Sequence, residues 1–106
     1  MERRTGLDRF ARVTTMAAQI ADRRGLRLEV EIPHRGGLAE TLPQVLELLE
    51  FADLPQLGID LDTSHVLNPS SSTSEVVAAL GPRIAHVVLR DGRIGEFCTP
   101  GDGDFD

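Results

Sequence analysis

The sequence predicts an α/β fold whose strands run parallel, near residues 27–32, 57–62 and 84–90. A segment with helical periodicity precedes each strand, and this alternating order is typical of parallel sheets joined by right-handed crossovers. The strands recur about every 30 residues, which is the length of one βα unit. Each strand also carries acidic or histidine side chains on one face, where a flat parallel sheet would be apolar. A barrel built of such βα units, with polar residues inside it near the strand ends as at the active sites of TIM barrels, accounts for all three observations.

The sequence predicts three helices and a final loop. The first is predicted from Asp8 to Arg24, with a buried apolar stripe at three- and four-residue spacing: Phe10, Val13, Met16, Ala17 and Ile20. The second begins at Thr41, and its buried stripe comprises Leu42, Val45, Leu46, Leu49 and Ala52. A third, short helix covers residues 75–80, capped by Ser74. The last stretch is predicted to be a loop that opens with a hairpin at Asp91-Gly92.

Length and composition limit the classes of function. The 106 residues form one domain at most, with 41% hydrophobic and 26% charged residues. The net charge of −6 argues against nucleic acid as a partner, because such binders need clustered cations. A single cysteine, Cys98, allows no intrachain disulfide and favours a reducing compartment. With neither a signal-peptide core nor an apolar run of membrane-spanning length, we expect a cytoplasmic protein that does not enter membranes.

Four acidic or imidazole side chains fall at or just beyond the carboxyl ends of the predicted strands: Glu31, Asp62, His65 and His86. Such groups bind divalent ions such as Mn²⁺, Mg²⁺, Co²⁺ or Zn²⁺, which can polarise a carbonyl. Each also has an ordinary interpretation. Glu31 fits a solvated strand residue and Asp62 fits a turn cap. His65 and His34 fit loop histidines, whereas Glu29 and Asp60 fit a polar barrel interior.

Four motifs, "LEVEIPHRGG", "LGIDLDTSH", "RIAHVVLRD" and "PGDGDFD", occur in a characteristic order and spacing. In this respect nearly the whole chain resembles the second half of the sugar phosphate isomerase/epimerase family, the xylose isomerase-like TIM barrels. The resemblance implies that Glu31 is a metal ligand and general base and that Asp62 is a second ligand. It implies that His65 contacts the substrate or lies near the metal, and that His86 occupies the non-ligating histidine position, where we also expect a substrate contact.

Two departures from the family pattern limit what the resemblance implies. Val88 stands where the family has its third ligand, a histidine. The family's fourth ligand, a glutamate that serves as the opposing acid/base, would lie beyond "PGDGDFD". We therefore expect residues 1–106 to be a single partial barrel domain, truncated at both ends. Three strands cannot close a barrel, so a homo-oligomer or a missing barrel half is also expected.

Two functions follow as hypotheses. The first is a sugar phosphate isomerase/epimerase-like protein. In the complete family barrel it moves a proton next to the carbonyl of a sugar or sugar-like substrate with the help of a divalent ion, which is bound weakly or not at all in this chain. The alternative is a non-catalytic truncated remnant, or an assembly module that lacks a complete metal site. Phosphodiester cleavage is disfavoured, because the sequence lacks the additional histidines and the basic groove that it needs.

Overall fold

A computed structural model describes residues 2–66, 71–93 and 96–105. These residues form three α-helices and five strands, in the order α1 (Arg3–Arg23), β1 (Glu29–Glu31), α2 (Leu42–Ala52), β2 (Gly58–Asp62), α3 (Thr73–Leu80), β3 (Ile84–Val88), β4 (Asp91–Arg93) and β5 (Glu96–Cys98). Short 3₁₀ turns occupy Thr63–His65 and Gly81–Arg83. The three predicted parallel strands are confirmed, although β1 and β3 are shorter than predicted. In the part of the chain described, no helix combines the length and apolar character needed to cross a bilayer.

The main sheet has the strand order β1-β2-β3, and both pairings are parallel. Glu31 is level with Asp60, Asp60 is level with His86, and Asp62 is level with Val88. Because alternate residues of a strand point to the same side, these five side chains share one face of the sheet. The register therefore gathers the polar residues near the carboxyl end of the sheet, as the sequence predicted.

Helix α2 covers the opposite face of the sheet, and its start follows the prediction. Thr41 precedes the helix, and the Thr41 N–H donates to the Gln44 side-chain oxygen at 3.2 Å. The predicted stripe is wrong at Leu46, which is 44% exposed, whereas Leu48 is buried. Leu48 belongs to the hydrophobic core, whose largest fully buried apolar side chains are Val45, Leu48, Leu57, Ile59 and Leu80.

The prediction for α1 is wrong about both its start and its buried face. The helix begins at Arg3, and the predicted stripe residues Val13, Met16 and Ile20 are at least half exposed. Leu7 and Ala18 are buried instead. Contacts at the first turn explain this rotation: Arg3 forms an ion pair with Glu47 on α2, and the Arg4 guanidinium lies 4.8 Å from the Phe51 ring centroid.

Helix α3 begins at Thr73, with Ser72 rather than the predicted Ser74 as its cap. The Ser72 hydroxyl accepts from the Glu75 N–H at 3.2 Å, and the Glu75 carboxylate accepts from the Ser72 N–H at 2.7 Å. This reciprocal pair is a capping box, which needs a glutamate three residues after the serine. Ser72 has that spacing to Glu75, and Ser74 does not.

Strands β4 and β5 form an antiparallel hairpin in which Asp91 pairs with Cys98. A hairpin here is as predicted, but Asp91 and Gly92 lie in its first strand and not in its turn. The connecting residues 94–95 lie outside the described residues.

Candidate functional site

Three side chains meet at the carboxyl end of the parallel sheet. Glu31 ends β1, His34 lies in the loop after it, and His65 ends the turn that follows β2. One potential ligand atom from each residue lies within 4.8 Å of the other two. The carboxyl ends of parallel strands share one edge of a sheet, which explains why residues distant in sequence converge here.

Backbone hydrogen bonds fold the loop after β1 back on itself and thereby place His34. The His34 N–H donates to the Ala39 carbonyl at 2.9 Å, and the His34 carbonyl accepts from the Gly37 N–H at 3.0 Å. Gly36 has a φ of 75°, a left-handed conformation that glycine adopts without steric cost. The His34 ring then has its Nδ1 atom 2.9 Å from the Arg35 carbonyl oxygen and its Nε2 atom 3.6 Å from Glu31 Oε2.

The His65 ring packs against the His34 ring, with centroids 4.3 Å apart and planes tilted by 36°. Burial lowers the pKa of His65, and the nearby His34 lowers it further, against the opposing effect of Asp62 and Glu31. A lowered pKa favours the neutral imidazole at neutral pH. Neutral imidazole is the form that binds metals or exchanges hydrogen bonds with a substrate oxygen.

The predicted ligand Asp62 is buried and already engaged with its own chain. Its Oδ1 atom accepts from the Ser64 N–H at 3.0 Å and from the Ser64 hydroxyl at 2.7 Å, while its Oδ2 atom lies 3.5 Å from an Arg90 nitrogen. Asp62 thus caps the turn after β2, the ordinary interpretation of this residue. It lies outside the cluster of Glu31, His34 and His65.

The same turn is tied to the chain that leaves β3. The Thr63 hydroxyl accepts from the Arg90 N–H at 2.7 Å and contacts the carbonyl oxygens of Val88 and Arg90. His65 lies in this turn, two residues after Thr63. Hydrogen bonds therefore connect the end of β2 to the end of β3 in the turn that carries His65.

His86, predicted to contact substrate, is exposed on β3 and lies outside the cluster. It is level with Asp60, whose Oδ1 atom is buried and forms no hydrogen bond to any described residue. Val88 lies two residues beyond His86 and presents an apolar side chain where the resemblance implies an imidazole. Glu31 and His65 are thus members of the cluster, whereas Asp62 and His86 are not, although Asp62 is near enough to His65 to affect its pKa.

Asp91 is a buried structural residue whose role the sequence did not reveal. Its carboxylate accepts from the backbone N–H groups of Gly92, Gly101, Gly103 and Phe105 at 2.7–3.1 Å. Burial alone would raise the pKa of Asp91, but these four donors outweigh it and hold the pKa at about 2. The "PGDGDFD" segment is thereby wrapped around one carboxylate. Its spacing of glycines after a buried aspartate was the available signal.

A cleft of about 140 Å³ opens beside His65. It is lined by Arg35, Ser64, His65, Gly92, Arg93, Glu96 and Phe97. Cys98 is not among these residues, and burial together with the charge of Asp91 raises the pKa of its thiol. A raised pKa disfavours the thiolate, so the structure offers no activated cysteine nucleophile among its described residues.

Comparison with known proteins places this arrangement in a family. Residues 2–106 match the family described as xylose isomerase-like TIM barrel. A 3-dehydroshikimate dehydratase of Pseudomonas putida is 32% identical over 96 residues, which cover 81% of this chain and 15% of that protein. The chain therefore spans a small part of the curated relative that it matches.

Solved structures show the same fold at low sequence identity. A 3-keto-D-glucoside 4-epimerase from E. coli has a TM-score of 0.81 and 18% identity over all of this chain and 40% of its own. A D-psicose 3-epimerase from Clostridium cellulolyticum has a TM-score of 0.79 and 19% identity, covering 99% and 36%. A probable 3-DHS dehydratase from Bacillus anthracis has a TM-score of 0.75 and 22% identity, covering 94% and 42%. The three parallel strands and their helices are part of a TIM barrel, and the chain belongs to the xylose isomerase-like TIM barrel family.

Proposed function

We propose that this chain is part of an enzyme that moves a proton on the carbon next to the carbonyl group of a small, sugar-like substrate, with a divalent ion bound at the sheet edge. The observation that carries the proposal is the convergence of Glu31, His34 and His65 at the carboxyl end of parallel barrel strands. In TIM barrels this end holds the active site.

The names of the relatives support a shared chemical step and not one particular substrate. They include dehydratases of 3-dehydroshikimate and epimerases of keto sugars. Dehydration of a β-hydroxy ketone and epimerisation beside a ketone can both begin by removing a proton from the carbon next to the carbonyl. The proposal is limited to this step, because it is common to both reactions.

The donor atoms at the site fit a divalent ion. One carboxylate and two imidazoles form a ligand set suited to Co²⁺, Zn²⁺ or Mn²⁺. When bound, such an ion would polarise the substrate carbonyl and acidify the neighbouring C–H bond.

The side chains at the site would accept the substrate proton and bind the substrate. Glu31 is 41% exposed at the sheet edge, where its carboxylate can accept the substrate proton. The neutral His65 ring has one nitrogen lone pair, which can bind the ion, and one N–H, which can donate a hydrogen bond to a substrate oxygen from the wall of the adjoining cleft. We keep His86 as a substrate contact. Asp62, which the resemblance implies to be a metal ligand, is proposed here to be an electrostatic partner of the site. A second acid/base group, which returns the proton, would come from the remainder of a complete barrel.

Proton exchange in D₂O tests the proposal without a known product. The 106-residue chain is incubated with Co²⁺ or Mn²⁺ and D-tagatose, D-psicose or 3-dehydroshikimate, and deuterium entry next to the carbonyl is followed by NMR. We expect exchange that Glu31→Gln abolishes and Glu47→Gln leaves unchanged, since Glu47 is on the surface of α2. No exchange by a folded, metal-loaded chain would contradict catalysis by this chain and favour the assembly module.

The assembly alternative has its own supporting observation. Val13, Met16 and Ile20 expose an apolar face on α1, and Val87 and Leu89 expose another beside β3. A groove of about 490 Å³ continues the second face between α3 and β3. We propose that further βα units of a barrel cover both faces. Sedimentation of the isolated chain tests this: association that Met16→Glu and Val87→Glu both reverse is expected, and a stable monomer would contradict it. A dimer dispersed by only one variant would indicate that a second copy covers that face.

A cytoplasmic location remains a prediction, supported by the single cysteine.

A further inference from the structure

We infer that His34 is a metal ligand, and that the ion-binding site of this chain consists of Glu31, His34 and His65 rather than Glu31 and Asp62. The inference deepens the proposed function by naming the ligand set, and it rests on that proposal only for the presence of an ion. It differs from the ligand set that the family resemblance implies, which is Glu31 and Asp62.

The hydrogen bond of the His34 ring fixes which nitrogen is available. A carbonyl oxygen can only accept, so the Nδ1 atom that lies 2.9 Å from the Arg35 carbonyl must carry the proton. In the neutral ring this leaves the Nε2 lone pair free, 3.6 Å from Glu31 Oε2. Metal-binding histidines usually donate their other ring N–H to a carbonyl or a carboxylate in this way.

The distances allow the three groups to share one ion after a small movement. Bonds of about 2.0–2.1 Å place neighbouring ligand atoms about 3.3 Å apart in a tetrahedral site. The three candidate atoms lie within 4.8 Å of one another, so the largest gap must close by about 1.5 Å. The His34 and Glu31 side chains are 48% and 41% exposed, and rotation of their side-chain bonds can close it.

Asp62 and Val88 explain why the site would shift from the position implied by the resemblance. Asp62 has two hydrogen bonds from Ser64 and a guanidinium 3.5 Å away, and a cation would compete with that charge. Val88 supplies no donor atom on the strand beside it. On the other side of Glu31, the loop held by the His34–Ala39 hydrogen bond supplies the imidazole that Val88 does not.

The ligand set predicts a class of metal. Of the ions proposed for the site, Co²⁺ and Zn²⁺ suit two imidazole nitrogens and one carboxylate best, whereas Mg²⁺ prefers oxygen ligands. We therefore expect the chain to bind Co²⁺ and Zn²⁺ and to discriminate against Mg²⁺.

Titration with Co²⁺, followed by its visible absorption and by the shifted imidazole N–H signals in the proton NMR spectrum, tests the inference directly. Loss of a second-sphere partner alone costs about 10–100-fold in affinity, so His34→Gln, which removes a ligand, should cost about 100-fold or more and remove one N–H signal. Asp62→Asn should cost less than about tenfold. Glu47→Gln, which removes a surface carboxylate of α2 far from the site in sequence, is the control and should keep full Co²⁺ affinity. Circular dichroism confirms that each variant is folded.

The outcomes separate this inference from the proposed function. Unchanged Co²⁺ affinity in folded His34→Gln, greater loss in Asp62→Asn, or no Co²⁺ binding by the folded parent chain would each overturn the inference. Binding through His34 without proton exchange would leave the inference intact and contradict the proposed function. Proton exchange by a chain whose affinity for the ion does not depend on His34 would contradict the inference and leave the proposed function intact.

Discussion

Asp62 on β2 is level with Val88 on β3, and the two side chains share the polar face of the sheet. The carboxylate next to this valine is held by Ser64 and Arg90. Asp62 thus matches the acidic residue of the family pattern, whereas Val88 is apolar where that pattern has a histidine.

Val88→His tests the importance of that neighbour. The new imidazole would lie level with Asp62, on the face of the sheet that also carries Glu31, and would add the donor atom that the family pattern has there. We therefore expect Co²⁺ or Mn²⁺ affinity to rise by about tenfold or more, equivalent to about 1.4 kcal/mol. Isothermal titration calorimetry measures the change, with Val87→His as the control because Val87 points to the other face of β3. Equal affinities in the two variants would show that position 88 does not face the ion.

Gly103→Ala should destabilise the chain. A Cβ atom at this position would lie 2.1 Å from Asp91 Oδ1 and 2.5 Å from the Gly92 carbonyl oxygen, so the loop must shift. Crowding of this kind costs about 1–3 kcal/mol, which lowers Tm by several degrees in a domain of this size. Gly81→Ala is the matched control, because nothing lies within 4 Å of its added Cβ. Thermal unfolding that does not separate the two variants would contradict the packing around Asp91.

The depressed pKa of Asp91 predicts a specific acid sensitivity. Because its folded-state pKa of about 2 lies below the ordinary value of 3.8, its stabilising contribution is complete above about pH 4. That contribution is lost as pH falls from about 4 towards 2. Unfolding in denaturant at a series of pH values should show this loss in the parent chain and much less of it in Asp91→Asn. Carbon NMR of the Asp91 carboxyl group gives a direct check, and titration near 4 would contradict the four hydrogen bonds.

Two leucines of α2 test the corrected orientation of that helix. Leu48 is 1% exposed and Leu46 is 44% exposed. Leu48→Ala should lower the free energy of unfolding by about 2–5 kcal/mol, whereas Leu46→Ala should cost less than about 1 kcal/mol. Denaturant titrations measure both, and similar losses would indicate that Leu46 is covered by another chain or that α2 is rotated.

The sequence allowed prediction of the features that depend on neighbouring residues. Strict alternation in "LRLEVEI" predicted β1, and Thr41 with Pro43 predicted the start of α2. The face of α1 was not predictable in this way, because Leu7 and Ala18 fit helical spacing as well as Val13, Met16 and Ile20 do. Long-range contacts of Arg3 and Arg4 with α2 decide between the two stripes.

In the candidate site, too, the features that depend on neighbouring residues were predictable and those that depend on long-range contacts were not. Alternation along the strands was enough to predict that Glu31 and Asp62 share a face, because strand geometry is regular. His34 was interpreted as a loop histidine, since its approach to Glu31 depends on a loop that folds back onto Ala39. The capture of Asp62 by Arg90 joins residues from two strand ends, and no local pattern marks it.

The Thr63 hydroxyl has a mechanical consequence for the imidazole two residues after it. Because that hydroxyl is hydrogen-bonded to Val88 and Arg90 at the end of strand β3, a displacement of β3 would also displace the turn that carries His65. A partner that packs against β3 would therefore change the position of the His65 ring through this hydrogen bond. Thr63→Val removes the bond and should make the position of His65 independent of β3.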